Sequence, residues 1–260
     1  MHNKFISFII ISSIIVLGGC GRTINKNMSP PSDTKWAYIE IKNPSPFTGP
    51  FPLGVRYISY KCMKKRISGF DGSIITEPSY NLVQIPLQRQ DGDLWKGQVA
   101  MTGGGLCQWT LSAISLGIRY HDAAHLGKEL TPGAAVGAKI AFDNDASRNG
   151  QFYDAYGKNL QYSPKYYPVI ERWSATKDSI EADRLNLFGK NTPFWLVRVN
   201  IVNDDFHMSY QPTIDEEKKV EMIFPYEKKE GATYTFVYPD GERVSSREID
   251  PDFHRVDKIK

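Results

Sequence analysis

Apolar and polar residues alternate over much of this chain, and where they do the repeat is two rather than 3.6. Trp36-Ala-Tyr-Ile-Glu-Ile41 alternates and predicts a first strand. Residues 55–62 place Val55, Tyr57, Ser59 and Lys61 on one face, and Arg56, Ile58, Tyr60 and Cys62 on the other. Strands are also predicted over 80–87 (with Pro86 at its end), over 94–101, and over 106–120, where Cys107, Trp109, Leu111 and Ala113 share one parity. Residues 194–202 form another predicted strand. Residues 220–226 and 232–238 bracket a hairpin, and Tyr238-Pro-Asp-Gly241 is a turn.

One helix is predicted. Asp178-Ser-Ile-Glu181 resembles a capping box, and Gly189 is placed to end the helix it starts, although 184–188 also alternates as a strand. Pro44, Pro46, Pro50 and Pro52 make 43–52 a connection with few backbone donors. Pro164 and Pro168 break the Tyr-rich stretch 151–167. The expected fold is mainly β. An immunoglobulin-like antiparallel sandwich spans 36–122, and a second β-rich region with one short helix spans 136–260. The tail from Asp250 is charged and reads as loose.

The start of the chain has a different pattern. Residues 5–17 are apolar apart from serines, Lys4 precedes them, and they close on Leu17-Gly18-Gly19-Cys20. A charged start, a short apolar middle and small residues before a cut describe a secretory signal. The run is shorter than the ~20 residues a helix needs to cross ~30 Å of hydrocarbon. Leu17-Gly18-Gly19-Cys20 resembles the lipobox of bacterial lipoproteins, with Gly18 where that family more often has Ala, Ser or Thr. The resemblance implies removal of 1–19, acylation of Cys20 and anchoring in the envelope. Gly21 stands where enterobacterial lipoproteins retained in the inner membrane carry Asp, which implies the outer membrane and a periplasm-facing protein. Residues 20–35 are polar, contain Pro30-Pro31 and read as a flexible lipidated tether.

Composition narrows the functional classes. The chain has 260 residues and a formal charge of +3, which falls to +2 when Lys4 leaves with the signal. Near-neutrality gives no argument for a nucleic-acid partner. With Cys20 acylated, Cys62 and Cys107 are the two remaining cysteines, and in an oxidising compartment they are expected to pair. The bond closes a loop of roughly 45 residues, worth ~4 kcal/mol on the chain-entropy model.

Candidate chemistry is sparse. His121 and His125 share a face if 121–132 turns as a helix, but Asp122 points elsewhere and no third ligand is placed, so they read as linker histidines. Asp143, Asp145, Ser147, Asn149 and Asp154 occupy alternate oxygen positions of a calcium loop. Arg148 stands where Gly is wanted, and Asp154 where Glu is wanted, so the stretch reads first as a turn between strands. Gly103-Gly104-Gly105 lacks the Lys-Ser/Thr of a phosphate loop and opens a strand, which makes it a turn. There is no Gly-x-Ser-x-Gly, no His-Glu-x-x-His, and no Ser-x-x-Lys with a supporting partner motif. A triad assembled from distant residues leaves no such trace. The expectation is a binding protein without catalysis, cofactor or metal.

In layout the chain resembles the immunity lipoproteins that bacteria keep beside secreted antibacterial toxins, such as those of type VI secretion. That resemblance implies a partner protein arriving in the periplasm. An accessory lipoprotein of an envelope or secretion machine is the alternative, and a lipoprotein hydrolase is a third. Candidate contact residues are basic Lys64, Lys65 and Arg66, and Tyr153, Tyr156 and Tyr162 of the Tyr-rich stretch, because Tyr and Arg carry much interface energy.

Overall fold

The computed structural model describes residues 23–147, 151–201 and 203–259. Cys20 and the motif before it, and Arg148 and Asn149 of the candidate calcium loop, lie outside these residues. The first half contains β1 (Trp36–Lys42), β2 (Thr48–Pro50), β3 (Leu53–Ile67), β4 (Ile74–Ile85), β5 (Gln88–Arg89), β6 (Leu94–Ala100), β7 (Thr102–Gly104) and β8 (Trp109–Tyr120). The second half adds β9 (Thr131–Pro132), β10 (Val136–Ala141), β11 (Tyr153–Tyr156), β12 (Asn159–Tyr162), β13 (Lys165–Arg172), β14 (Arg184–Gly189), β15 (Phe194–Asn200) and β16 (Phe206–Tyr210). It ends with β17 (Thr213–Ile214), β18 (Val220–Ile223), β19 (Tyr234–Val237), β20 (Arg243–Ser246) and one helix, α1 (Phe253–Lys258).

The fold is mainly β, in three sheets. One has the order β12-β16-β1-β6-β5, a second β11-β15-β10-β8-β3-β4 with β2 and β7 also on β8, and a third β20-β19-β18-β13-β14-β9 with β17 also on β13. Every pairing among β1 to β8 is antiparallel, as expected for 36–122. The second half makes the sheets mixed: β16 lies parallel to β1, β15 to β10 and β18 to β13.

Strand pairing crosses the stretch 122–136. β10 pairs with β8 and β16 with β1, and one cluster of buried residues runs from Ala37 to Tyr210. β8 is buried on both faces, so strands of the first half alone do not cover it. A smaller core lies on the other side of the third sheet, where Tyr167, Phe188, Met222 and Phe236 pack with Val256 of α1. β13 separates the two cores, sending Tyr166 into one and Tyr167 into the other.

Four local expectations are corrected. Pro168 does not break the chain but lies inside β13, opposite Leu187. The other edge of β13 is taken by β17 at residues 165–166 and by β18 at 169–172, so the proline sits where one partner gives way to the next. The helix expected over 178–189 is absent, and its second half is β14, with Leu185, Leu187 and Phe188 buried against β13. Gly189 serves close packing rather than a helix end, since a Cβ there would stand 2.6 Å from the Tyr166 ring. The tail from Asp250 is docked: the Asp252 side chain caps α1 by accepting from the His254 and Arg255 amides, and Val256 is fully buried.

The fourth correction concerns 23–35, which is a strap laid on the second sheet rather than a free tether. Ser29 N donates to the Gly103 carbonyl at 2.8 Å, Asn81 Nδ2 to Lys26 O at 2.9 Å, and Trp109 Nε1 to Asn25 O at 3.2 Å. Gly104 and Gly105 have φ of +60° and +71°, and a Cβ on either would stand 2.2 Å from Ser29 O or 2.4 Å from Asn27 O. The triple glycine therefore seats the strap. A polar strap without periodicity looks like a linker in sequence, because most of its contacts run through its own backbone.

One ion pair ties the loop before β14 to β13. Asp183 accepts from Arg172 Nη1 at 3.2 Å and from the Ser174 amide at 3.1 Å. Burial alone raises its carboxyl, but the Ser174 and Arg172 donors outweigh that and hold it below the ordinary range. Its stabilising contribution is therefore present above the unfolded pKa of ~3.9 and is lost as pH falls through the lower folded value. Asp183→Asn should cost about 1–2 kcal/mol at pH 7. Urea unfolding should show the gap to wild type narrowing in acid, and a gap unchanged at low pH would contradict this.

Candidate binding surface

β11 forms the outer edge of the second sheet, and among the described residues no strand pairs with its free side. Tyr153 and Tyr156 on this edge are 68% and 79% exposed. Beside them Arg198 of β15 grips Asp154 with a fork, Nε to Oδ1 at 2.7 Å and Nη2 to Oδ2 at 2.9 Å. Its Nη1 reaches Asn144 Oδ1 at 3.0 Å, and Asn200 Nδ2 donates to Asp154 Oδ1 at 3.2 Å. The parallel register sets Asp154 beside Arg198 and Tyr156 beside Asn200, so these four share one face. The Arg198 and Asn200 hydrogen bonds hold the Asp154 carboxyl below its usual range. The result is an ordered polar face bearing an exposed aromatic ring.

Tyr60 adds a ring that sequence reasoning missed. Its hydroxyl donates to Asp145 Oδ2 at 2.7 Å, and it is 58% exposed. Burial of the hydroxyl, then the Asp145 bond, push its pKa up. Plain alternation assigned Tyr60 a place beside Ile58, but the β3–β4 register slips between Ser59 and Met63 and turns it outward. A bulge of this kind leaves no mark in the hydrophobic pattern.

The candidate calcium loop is committed elsewhere. Asp154 holds Arg198, Asp145 holds Tyr60, and Asp143 Oδ1 accepts from the Ala146 amide at 2.7 Å. Among the described residues no group of three His, Cys, Asp or Glu side chains is placed to share a metal ion. His121 and His125 separate. His121 is exposed, whereas His125 is no surface linker residue: its ring stacks on Phe47 at 3.7 Å and its Nε2 meets Glu216 Oε1 at 3.1 Å. Tyr120 donates to the same Glu216 oxygen at 3.0 Å. Asp122 accepts from the Ala124 amide at 2.9 Å.

The remaining candidates divide. Cys62 and Cys107 form a disulfide, with Cα atoms 5.3 Å apart, joining the bulge of β3 to the turn between β7 and β8. Lys64 and Arg66 both close on Glu77, at 3.1 and 3.0 Å, and lower its carboxyl, while Lys65 stays exposed. Tyr162 is half-buried: its ring stacks on Trp195 at 4.3 Å, and it packs against the main core. β12 belongs to the first sheet and Tyr166 and Tyr167 to β13 of the third, so the Tyr-rich stretch is divided among three sheets and only Tyr153 and Tyr156 reach solvent with large exposure.

Comparison with known protein families, curated proteins and solved structures gives no match to this chain.

Proposed function

We propose that this is a lipoprotein, anchored through Cys20 in the outer membrane and facing the periplasm, that acts by occupying a protein partner and catalyses nothing. The observation that carries the binding reading is the outer edge of β11, where Tyr156 is exposed on the face of the Asp154–Arg198 fork and Tyr153 is exposed on the opposite face. An unpaired edge offers backbone donors and acceptors to an extended segment, and tyrosines supply contact area at low entropic cost. The partner class is a toxin delivered to the periplasm, as the layout of the immunity lipoproteins implies. Binding of this kind is stoichiometric.

Tagged protein retained on beads from envelope extracts tests the surface. Tyr153→Ala/Tyr156→Ala should weaken partner capture by about 30-fold, the value of one interface hot spot of about 2 kcal/mol. Its melting temperature should stay at the wild-type value, because both rings are solvent-facing. Undiminished capture would remove this edge from the reading. The anchor is tested separately with labelled palmitate, which Cys20→Ser should fail to incorporate. Equal labelling of variant and wild type would defeat the lipid anchor.

A further inference from the structure

The face beside the first described residues carries another surface. Thr23, Ile24 and Asn25 lie in a cleft lined also by Lys61, Met63, Lys65 and Leu106. Alternation along β3 puts Met63, Lys65 and Ile67 on one face of the β3–β4 hairpin, and Lys64 and Arg66 on the other. The pairs Lys65↔Thr76 and Ile67↔Ile74 carry the first face across to β4.

The two faces differ in charge. Glu77 pairs with both Lys64 and Arg66 and offsets one of their two charges. Among the described residues Lys61 and Lys65 make no ion pair, and both are exposed. The hairpin tip and the neighbouring turn expose large apolar side chains: Ile67, Ile74 and Leu106 are at least 70% exposed, and Phe70 is 99% exposed. Free cations beside exposed apolar side chains match a layer of phosphate over hydrocarbon.

Chain length decides which occupant lies there. Cys20 is three residues before Thr23, and an extended chain covers at most ~3.6 Å per residue, so the chain between them reaches no further than roughly 10 Å. If Cys20 carries acyl chains, the membrane begins within about that distance of the cleft. We infer that this face docks on anionic phospholipid, with Lys61 and Lys65 against headgroup phosphates and Ile67, Phe70, Ile74 and Leu106 entering the apolar boundary. The inference rests on the lipid-anchor reading. It adds that the anchor leaves the protein lying on the bilayer, by one defined face, rather than held away on a leash.

The test uses the full protein purified from envelopes, carrying Phe70→Cys labelled with an environment-sensitive fluorophore. Phe70 touches solvent over almost its whole surface, so the change leaves the fold intact. Mass spectrometry first reads the acyl groups on Cys20. The protein is then reconstituted in vesicles of phosphatidylglycerol and phosphatidylethanolamine, or of phosphatidylcholine alone. In the anionic vesicles the probe should brighten, shift to the blue and be quenched by nitroxides on the acyl chains. Each lysine near an anionic surface is worth about fivefold, so Lys61→Gln/Lys65→Gln should weaken docking by on the order of 25-fold and return the probe to its aqueous emission. An acylated protein whose probe stays in water overturns the docking face and leaves the anchor standing. A protein without acyl groups overturns both. Brightening that grows with protein concentration in the absence of vesicles would assign the patch to a second copy and overturn the inference.

Discussion

Trp109→Ala should be the most damaging single substitution in this chain, lowering stability by about 4–5 kcal/mol. Trp109 has no exposed surface and stands on β8, the strand that both halves of the chain need. Truncation leaves a cavity among Tyr57, Cys107 and their neighbours in the main core. It also removes the Nε1 donor that holds the Asn25 carbonyl, so the strap loses a tie as well as a packing surface. For a domain of this size the loss corresponds to a fall in melting temperature of about 10–15 °C. Trp109→Phe keeps most of the volume and removes only the donor, so it should cost much less, about 1–2 kcal/mol. It should still make residues 23–35 more sensitive to protease than in wild type. Equal protease sensitivity of wild type and both variants would show that Trp109 does not hold the strap.

Removing the disulfide should cost about 4 kcal/mol, the chain entropy of a 45-residue loop. Cys107 is buried and its carbonyl accepts from Ser59 Oγ, while the Cys62 amide donates to the same hydroxyl at 2.9 Å. Ser59 therefore keeps the β3 bulge and the β7–β8 turn in contact even without the sulfur bridge, so Cys62→Ala/Cys107→Ala should fold and unfold at lower urea. A non-reduced peptide digest of the wild type should contain the linked peptides. Two alkylatable thiols in native protein, or a double variant as stable as wild type, would contradict this. Trp109 and Cys107 belong to one buried cluster, so the two destabilisations should not add.

The parts of the fold legible in sequence are those whose burial alternates. In β1 the alternation of Trp36 to Ile41 becomes Ala37, Ile39 and Ile41 in the core, with Tyr38 and Glu40 half-buried. The hairpin of β18 and β19 and the turn at Gly241 follow from equally local signals. The failures have a shared physical cause, which is that tertiary contacts outweighed local ones. Asp178 and Gly189 offered helix ends, yet β14 gains more by burying Leu185, Leu187 and Phe188 beside β13. The strap and the tail are polar in composition and nevertheless docked, through backbone amides and carbonyls in one case and through Asp252 and Val256 in the other. The division expected at 122–136 followed a change in composition, which carries no signal of the strand pairing that crosses it. Of the binding surface, Tyr153 and Tyr156 were legible as exposed aromatic residues. Tyr60 and the Arg198 fork were not, because a bulge and a parallel register created them.

The central claim is that the protein protects its cell by occupying a toxin at the membrane. Competition against kin measures this directly, with four strains: wild type, a deletion, the deletion carrying Cys20→Ser, and the deletion carrying Tyr153→Ala/Tyr156→Ala. The account predicts that the deletion is killed, that Cys20→Ser protects only when produced in excess because the anchor no longer concentrates the binder, and that the tyrosine pair protects poorly at wild-type abundance. Equal survival of all four strains would contradict it.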